Sequence, residues 1–273
     1  MGLAAGYEAW LITVGNEVLI GKVVNTNMAW LGRKLTLLGY KVCRALVVPD
    51  ELDDIAWAFR AAVEAGVKVV ISTGGLGPTF DDKTAEGLAL ALGSKLVLNE
   101  KALEMVREKY ESEGLKLTQH RVKMAILPEG AEPLPNPVGT APGIHVKVGK
   151  TEVFCLPGVP KEMEAIFEES VEPYLKAIGP KIVFVERMLE VRGLPESGLA
   201  PLVEEVVKKF GVYVKSHPRG AELKVPIILL HITSSGSDER EAEKKVERAL
   251  EYFKKTIVEK GGRVEEKTPE NAH

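Results

Sequence analysis

One segment of the chain combines closely spaced glycines with two adjacent carboxylates. Residues 72–84 read STGGLGPTFDDKT, in which the glycines are Gly74, Gly75 and Gly77 and the carboxylates are Asp81 and Asp82. Glycine lets backbone N–H groups approach an anion closely, and a helix that begins near Asp82 offers its positive end to a phosphate. Adjacent carboxylates would repel that phosphate unless a divalent cation lay between them. The segment predicts a metal-bridged phosphate, and a tight turn in which Asp81 or Asp82 caps the helix is the alternative.

Asp50 is a further candidate metal ligand. A predicted strand ends at Val48 and is followed by the sequence PDE, which contains Asp50. If the two strands are neighbours in a parallel sheet, Asp50 lies at the same sheet edge as Asp82, and one carboxylate from each loop could hold a metal. Taken alone, Asp50 is better explained as the cap of a helix that begins at Leu52. The two roles are compatible.

A third loop places a lysine beside a glycine. Residues 156–161 read LPGVPK, so that Gly158 follows Pro157 and Lys161 falls in the first turn of the next helix. A cation there opposes the helix dipole, which suggests an anion nearby. The commoner interpretation of a single lysine is a solvated surface residue.

A fourth loop is rich in polar side chains. It follows the first predicted strand, and its candidate residues are Gly15, Asn16, Glu17, Asn25 and Asn27. The two later asparagines stand just ahead of a predicted helix, so they are either helix caps or ligand contacts, and the cap is the favoured interpretation.

Alternating strands and helices position these loops. The predicted strands are Ala9–Val14, Lys41–Val48 and Val67–Ser72, and the helices between them are Asn27–Leu38 and Leu52–Ala65. This alternation predicts an α/β fold with a three-layer, mostly parallel sheet, in which the loops that follow the strands gather along one edge. The later predicted elements are helices from about Asp82 to Leu92 and Asn99 to Glu113, strands Ile144–Val148 and Glu152–Leu156, and a helix from Val159 to Leu175.

The length of 273 residues fits about two domains. Gly179 and Pro180 form a breaker pair, so we predict a first domain over residues 1–178 and a small α+β domain over residues 179–260. The second domain has predicted strands Ile182–Val191, Val212–Lys215 and Glu222–Thr233 and helices Ser197–Phe210 and Asp238–Lys255. Residues 261–273 are charged and aperiodic, which predicts a flexible tail.

Composition excludes several classes of protein. Hydrophobic residues make up 45% and charged residues 27%, and the net charge is −3, which does not favour a nucleic-acid partner. The sequence has neither a membrane-span pattern nor a signal-like N-terminus. Cys43 and Cys155 lie far apart in apolar stretches, which predicts two buried thiols and a reducing cytoplasm.

The four loops, in this order and spacing, resemble a known family. GNEVLIG with Asn25 and Asn27, then VPDE, then TGGLGPTFDDKT, then LPGVP are similar to the N-terminal part of CinA-type proteins, in the molybdopterin-binding superfamily with MoaB, MogA and MoeA. The resemblance covers about residues 8–260, and the part after Pro180 resembles the small KH-like domain of CinA-type proteins. No Gly-x-x-Gly loop with basic flanks lies in that part, so a packing or dimerisation role is expected rather than RNA binding.

The resemblance implies a metal-dependent nucleotide pyrophosphatase, acting on ADP-ribose or FAD with release of AMP, in a cytoplasmic homodimer. The deamidase activity of the separate C-terminal domain of CinA-type proteins is not expected of this chain. The rival interpretations are a molybdopterin adenylyltransferase-like protein and a non-catalytic nucleotide-binding module. Paired aspartates occur in CinA-type proteins, whereas the adenylylating relatives usually carry Arg-Asp, which disfavours a pterin phosphate.

The resemblance also implies roles for particular residues. Asp50 and Asp82 match acidic residues for adenylylation and metal binding in the molybdopterin relatives, so they are predicted catalytic residues. Lys161 is predicted as the third because of its own position against the helix dipole. The predicted ligands of Mg²⁺, Mn²⁺ or Co²⁺ are Asp50, Asp81 and Asp82. The predicted substrate-binding residues are Gly15, Asn16, Glu17, Asn25, Asn27, Thr73, Gly74, Gly75, Gly77, Pro157 and Gly158.

Overall fold

The computed structural model describes residues 6–219, 226–236 and 238–267. These residues form two compact units. The larger unit holds residues 6–36 and 40–180, and the smaller one holds residues 37–39 and the described residues from 181 onward. The division falls directly after Pro180, beside the predicted breaker pair.

The larger unit alternates strands and helices. In chain order its elements are β1 (Glu8–Val14), α1 (Asn16–Leu19), α2 (Thr26–Leu37), β2 (Lys41–Val48), α3 (Leu52–Glu64), β3 (Val69–Thr73), α4 (Thr84–Leu92), β4 (Leu96–Leu98), α5 (Glu100–Ser112), α6 (Gln119–Val122), β5 (Ile126–Pro128), β6 (Glu132–Leu134), β7 (Gly143–Val148), β8 (Thr151–Leu156), α7 (Pro160–Ile166) and α8 (Glu172–Ile178). A π-helical turn, Phe167–Val171, joins α7 to α8, so the predicted single helix is nearly continuous.

A mixed, six-stranded sheet forms the centre of this unit, in the order β2-β1-β3-β8-β7-β6. The first four of these strands pair in parallel, and β7 pairs antiparallel with both β8 and β6. The sheet is mixed because β7 and β8 form a hairpin that turns at Gly149, which has φ +58°. All residues of β3 and β8 are buried, so both faces of the sheet are covered.

The sheet order decides which loops meet. The chain leaves β1 toward β2 on one side, while β3 pairs with β1 on the other side, so the loops after β1 and β3 flank a switch point in strand order. β1 lies between β2 and β3, so the strands that precede Asp50 and Asp82 are not neighbours. The loops after β1, β2, β3 and β8 nevertheless share the carboxyl edge of the parallel strands.

One amphipathic helix illustrates how the sequence forms this core. In α3 the residues Ile55, Phe59 and Ala62 are fully buried and recur at helical spacing. They pack in one cluster with Trp10 and Ile12 from one face of β1. Burial of a side chain as large as Ile55 or Phe59 stabilises the unit by roughly 1.5–3 kcal/mol.

The smaller unit contains β9 (Val183–Arg192), α9 (Glu196–Phe210), β10 (Tyr213–Pro218), β11 (Ile227–Gly236), α10 (Glu239–Glu259) and β12 (Arg263–Lys267). Its strands form an antiparallel sheet in the order β10-β11-β9-β12. The sequence order β-α-β-β-α-β with this spatial order is the split β-α-β arrangement of ferredoxin-like folds. The KH-like label stays a prediction, and the part of the predicted strand at residues 222–225 lies outside the described residues.

Two sequence-based predictions are wrong in part. Residues 263–267 of the predicted tail form β12, which pairs with β9 because Gly261, at φ +82°, turns the chain back after α10; residues 268–273 lie outside the described part. Cys43 is exposed because β2 is an edge strand, whereas Cys155 is buried, and burial raises the pKa of its thiol to about 12. Within the described residues, no helix is long and apolar enough to cross a membrane.

A buried ion pair lies in the β7–β8 hairpin. The Glu152 carboxylate is fully buried; one oxygen lies 3.0 Å from Nε2 of His145 and the other 3.2 Å from Nζ of Lys147. Burial by itself raises the pKa of a carboxyl group, but hydrogen bonds from His145, Lys147 and Tyr174 outweigh it and leave the pKa of Glu152 below its ordinary value.

Replacement of Glu152 by glutamine should flatten the response of stability to acid. Because the folded pKa lies below the ordinary value of 4.5, the ionised carboxylate stabilises the fold fully above that value, and the contribution is lost as the pH falls through the folded pKa. We expect Glu152→Gln to lower the free energy of unfolding by about 1–3 kcal/mol at neutral pH and to lose less further stability on acidification than the unaltered chain. Urea unfolding at a series of pH values measures both, and parallel pH curves would contradict the ionic role.

Candidate functional site

Backbone contact holds three loops together at the carboxyl edge of the sheet. Gly74, directly after β3, has φ +99°, and a Cβ on it would lie 2.1 Å from the carbonyl oxygen of Val14. A Cβ on Gly158 would lie 3.4 Å from the Cα of Gly74, and the Gly74 N–H donates to Leu156 O at 3.0 Å. Gly74 thus permits close packing of the loops that follow β1, β3 and β8, and its own N–H is already occupied.

The next three residues offer unpaired backbone donors. Within the described part of the chain, the N–H groups of Gly75, Leu76 and Gly77 have no acceptor. Thr84, the first residue of α4, fixes this loop, because its N–H donates to Gly75 O at 3.0 Å and its hydroxyl to Gly74 O at 2.7 Å. A row of free N–H groups ahead of a helix N-terminus is suited to binding an anion.

The paired aspartates fold back on Thr79. The N–H and the hydroxyl of Thr79 donate to Asp82 Oδ2 at 2.8 and 2.6 Å, and the hydroxyl also contacts Asp81. Neither aspartate caps α4, whose N-cap position is held by Lys83 without a side-chain hydrogen bond, so the capping alternative is wrong. The hydrogen bond from Thr79 holds the pKa of Asp81 below its ordinary value.

Lys123 supports this turn, although the sequence pattern gives no sign of it. Its Nζ donates to the carbonyl oxygens of Thr79 and Asp82, both at 2.7 Å. It lies in a 3₁₀ turn after α6, about forty residues further along the chain. No local signal in the sequence marks it, because only the tertiary fold brings these carbonyl oxygens close to it, together with the Glu86 carboxylate 3.8 Å away.

Asp50 has a partner different from the one expected. Its Oδ2 accepts the N–H of Asn16 at 2.8 Å, across to the loop after β1. The N-cap of α3 is Glu51, which makes no side-chain cap bond, so the predicted capping of that helix by Asp50 is wrong. Lys83 lies 3.4 Å from Glu51, so the loops after β2 and β3 meet although β1 separates their strands.

The metal prediction has only partial geometric support. Over the described residues, no group of three or more His, Cys, Asp or Glu side chains is arranged to hold a metal alone. Asp50 and Asp82 each have one carboxylate oxygen hydrogen-bonded to backbone N–H, at Asn16 and Thr79 respectively. Mg²⁺ is usually held by one or two carboxylates together with substrate phosphates and water, so this donor set fits a cation that arrives with its substrate.

Of the two asparagines in the segment after β1, Asn25 caps α2, whereas Asn27 lies within that helix, so the favoured cap interpretation is wrong for Asn27. Asn25 Oδ1 accepts the N–H of Met28 at 3.1 Å in the first turn of α2, which confirms a cap. Asn27 is 8% exposed, and its Nδ2 donates to Gly158 O at 2.8 Å. The Oδ1 of Asn27 is buried and has no partner among the described residues. Such an acceptor is suited to a hydrogen-bond donor from a ligand.

Two small cavities border the glycine loop. One, of about 90 Å³, is lined among others by Thr13, Glu17, Asn27, Thr73, Gly74 and Gly158. The other, of about 130 Å³, is lined among others by Gly75, Gly77, Asp82, Lys123 and Pro142. Thr73 and Gly74 thus border the first cavity, and the three residues with unpaired N–H groups, Gly75, Leu76 and Gly77, border the second.

The lysine that follows the loop after β8 has no partner among the described residues. α7 begins at Pro160 with Val159 as N-cap, and Lys161 is exposed in its first turn. Lys161 forms no hydrogen bond or ion pair with any residue that the structure describes. Both the solvated lysine and the anion-binding lysine agree with this position. Pro157 is buried ahead of the helix.

The fold and this edge define an α/β protein with a candidate anion-binding glycine loop at the switch point of its sheet. The chain belongs to the family described as "Probable molybdopterin binding domain", whose profile matches residues 10–177. A protein of Pyrobaculum aerophilum is 55% identical over 255 residues, which cover 93% of this chain and 96% of that protein. A protein of Aeropyrum pernix is 50% identical over 95% of this chain and 97% of its own length.

A crystal structure supports the resemblance to CinA-type proteins. It is described as the protein CinA, with unknown function, from Thermoplasma acidophilum, and it is 51% identical with a TM-score of 0.58. The match covers 61% of this chain and 98% of that one. Its description leaves the activity open, so function has to be argued from the site.

Alanine at Gly74 should destabilise the protein far more than alanine at Gly21. Both glycines have positive φ, +99° and +75°, so both variants incur a backbone cost. The new Cβ meets the Val14 oxygen at 2.1 Å only at Gly74, whereas nothing lies within 4 Å at Gly21. We expect Gly74→Ala to lose about 2–3 kcal/mol more than Gly21→Ala in urea unfolding. Equal losses would show that the loops do not depend on this contact.

Proposed function

We propose that this protein is a metal-dependent nucleotide pyrophosphatase that hydrolyses the diphosphate of ADP-ribose or FAD-like substrates and releases AMP. The observation that carries the proposal is the row of unpaired N–H groups at Gly75, Leu76 and Gly77 beside Asp81 and Asp82. Donors and carboxylates so close together suit an anion that brings a divalent cation with it.

The two cavities favour a substrate that carries a group on each side of its diphosphate. A diphosphate at the glycine loop would have the cavity of about 90 Å³ on one side and that of about 130 Å³ on the other. In the smaller cavity, the buried Oδ1 of Asn27 would accept a hydrogen bond from a hydroxyl or amino group of the substrate. Gly15, Asn16 and Glu17 form the adjoining loop, which Asp50 holds through the N–H of Asn16.

A bound Mg²⁺, Mn²⁺ or Co²⁺ would supply charge neutralisation on the diphosphate. Asp50 and Asp82 would hold it from the loops after β2 and β3, with help from Asp81. The low pKa of Asp81 keeps that carboxylate ionised at neutral pH. The Glu51–Lys83 ion pair draws the two loops together and so favours joint use of their carboxylates.

The chain's own donors would stabilise the developing negative charge. The N–H groups of Gly75 and Gly77 would hold phosphate oxygens in fixed positions, which stabilises the transition state without reorganisation of the site. Lys161, free in the first turn of α7, would offset charge on a phosphate oxygen. Lys123 would act on the reaction indirectly, because it holds the turn that carries Asp82.

A molybdopterin adenylyltransferase-like activity is the second candidate, and the description of the matched family favours it. In that reaction the same sheet edge would bind a pterin and a nucleotide for transfer rather than for hydrolysis. A nucleotide-binding module without turnover is the third. We further propose a homodimer in the cytoplasm, with a small-molecule nucleotide as ligand and no nucleic-acid partner.

Replacement of Asp82 by asparagine should abolish AMP release while the fold is kept. The amide oxygen can still accept the N–H of Thr79, so the turn remains and only the charge is lost. With ADP-ribose, FAD or NAD and each of the three metals, we expect AMP formation to fall by about 100-fold or more. Chromatography of the products measures this.

Asp53→Asn provides the matched control, because Asp53 is an exposed aspartate in the first turn of α3, away from both cavities. It should retain full activity. No AMP from the unaltered chain with any substrate and metal would overturn the hydrolase proposal, and calorimetry with pterin ligands would then test the second candidate. AMP release that Asp82→Asn leaves intact would remove Asp82 from the site.

A further inference from the structure

A third and larger cavity lies next to the turn that carries the paired aspartates. It has a volume of about 510 Å³ and is lined by Pro78, Thr79, Phe80, Tyr110, Thr118, His120, Arg121 and Lys123. We call it the aromatic groove. Its volume falls within the range of pockets that bind small organic ligands. None of the residues predicted from the sequence to bind substrate or metal lines it.

Phe80 is held in an exposed position by its neighbours. Its side chain is 88% exposed, although it stands in a turn fixed on both sides. Thr79 bonds to Asp82 through its N–H and hydroxyl, and Lys123 holds the carbonyl oxygens of Thr79 and Asp82. The ring is therefore presented by a constrained backbone, which lowers the entropic cost of using it to bind a ligand.

The rest of the groove combines a second aromatic ring with positive charge. The guanidinium carbon of Arg121 lies 4.0 Å from the centroid of the Tyr110 ring, and the same side chain donates to Lys116 O. Lys123 adds a second cation, and His120 adds an imidazole ring. Aromatic rings and guanidinium planes bind flat heterocycles by stacking, and cations attract the phosphate that such rings carry.

The groove lies beside the candidate phosphate site, because the two cavities share a lining residue. Lys123 lines both the groove and the cavity of about 130 Å³ beside Gly75, Gly77 and Asp82. Thr79, at the edge of the groove, is bonded to Asp82. A phosphate at the glycine loop would thus have the groove within reach of the group attached to it.

We propose that the aromatic groove binds the planar heterocyclic ring of a phosphate-bearing ligand, a nucleobase or a flavin, by stacking on Phe80. This deepens the proposed function, on which it rests for the position of the phosphate. Phe80 is then the residue that makes the site prefer ring-bearing phosphates over simple ones. Arg121, held on Tyr110, closes the groove with positive charge.

The test measures binding alone. Calorimetry with Mg²⁺ present gives the dissociation constants of AMP, FMN and ribose 5-phosphate for the unaltered chain, Phe80→Ala and Phe80→Trp. We expect Phe80→Ala to weaken the binding of AMP or FMN by about tenfold and to leave the binding of ribose 5-phosphate unchanged. Phe80→Trp should keep the affinity of the unaltered chain, because its ring can also stack. The ligand that responds more strongly identifies the ring.

Trp57→Ala is the matched control, because Trp57 is another exposed aromatic residue, 55% accessible, and lies outside the groove. It should bind all three ligands as the unaltered chain does. The proposal is overturned if Phe80→Ala changes none of the constants, if it weakens ribose 5-phosphate as much as the ring-bearing ligands, or if the unaltered chain does not prefer AMP or FMN over ribose 5-phosphate. None of these ligands contains a diphosphate, so a failure of AMP release in the hydrolysis assay is a separate result.

Discussion

The site depends on a backbone contact that leaves no space for a side chain. Gly74 lies against the carbonyl oxygen of Val14, and Gly158 lies against Gly74, so the loops after three parallel strands are packed main chain to main chain. A side chain at Gly74 would push these loops apart. This contact fixes the position of the glycine loop, and so of the free N–H groups of Gly75 and Gly77. It also sets the position of the two cavities that the loop lines.

The charged side chains at this sheet edge are held mainly by contacts with the backbone. The carboxylates of Asp50 and Asp82 are each fixed by a backbone N–H, at Asn16 and Thr79, rather than by a cationic side chain. A carboxylate that accepts one or two such hydrogen bonds retains lone pairs for a further partner. Lys83 forms an ion pair with Glu51, and Lys123 donates hydrogen bonds to backbone carbonyl oxygens. The two lysines therefore hold the loops at this sheet edge without pairing with the carboxylates of Asp50 and Asp82.

Much of the larger unit could be predicted from the sequence, because its strands are continuous apolar runs separated by helices with clear periodicity. β2 has the predicted bounds, and α3 begins at the predicted Leu52. The glycine loop also stood out in the sequence, but its glycines were predicted to admit an anion, whereas the structure shows that Gly74 permits a contact between backbones. The hydrogen bond that Asp50 accepts from Asn16 could not be predicted, because it depends on the order of strands in the sheet, which decides which loops are neighbours.

Other features could not be predicted from local sequence patterns, because they too depend on contacts between distant parts of the chain. The strand β12 is charged and gains its structure only by pairing with β9, so periodicity could not reveal it. The exposure of Cys43 follows from the place of β2 at the sheet edge. Lys123 binds backbone atoms distant in sequence, and the unpaired Oδ1 of Asn27 is visible only once the packing around it is known.

The central claim is that a diphosphate binds to the free N–H groups of the glycine loop. Amide correlation spectra of the glycine-labelled chain test it most directly, with at most 26 signals to follow, during titration with Mg²⁺ and α,β-methylene ADP, whose bridging bond cannot be hydrolysed. The account predicts saturable shifts at Gly75 and Gly77. It predicts none at Gly93 or Gly114, which follow the C-terminal ends of α4 and α5 and have no neighbour within 4 Å of a Cβ position. Unchanged Gly75 and Gly77 signals at saturating ligand would contradict it.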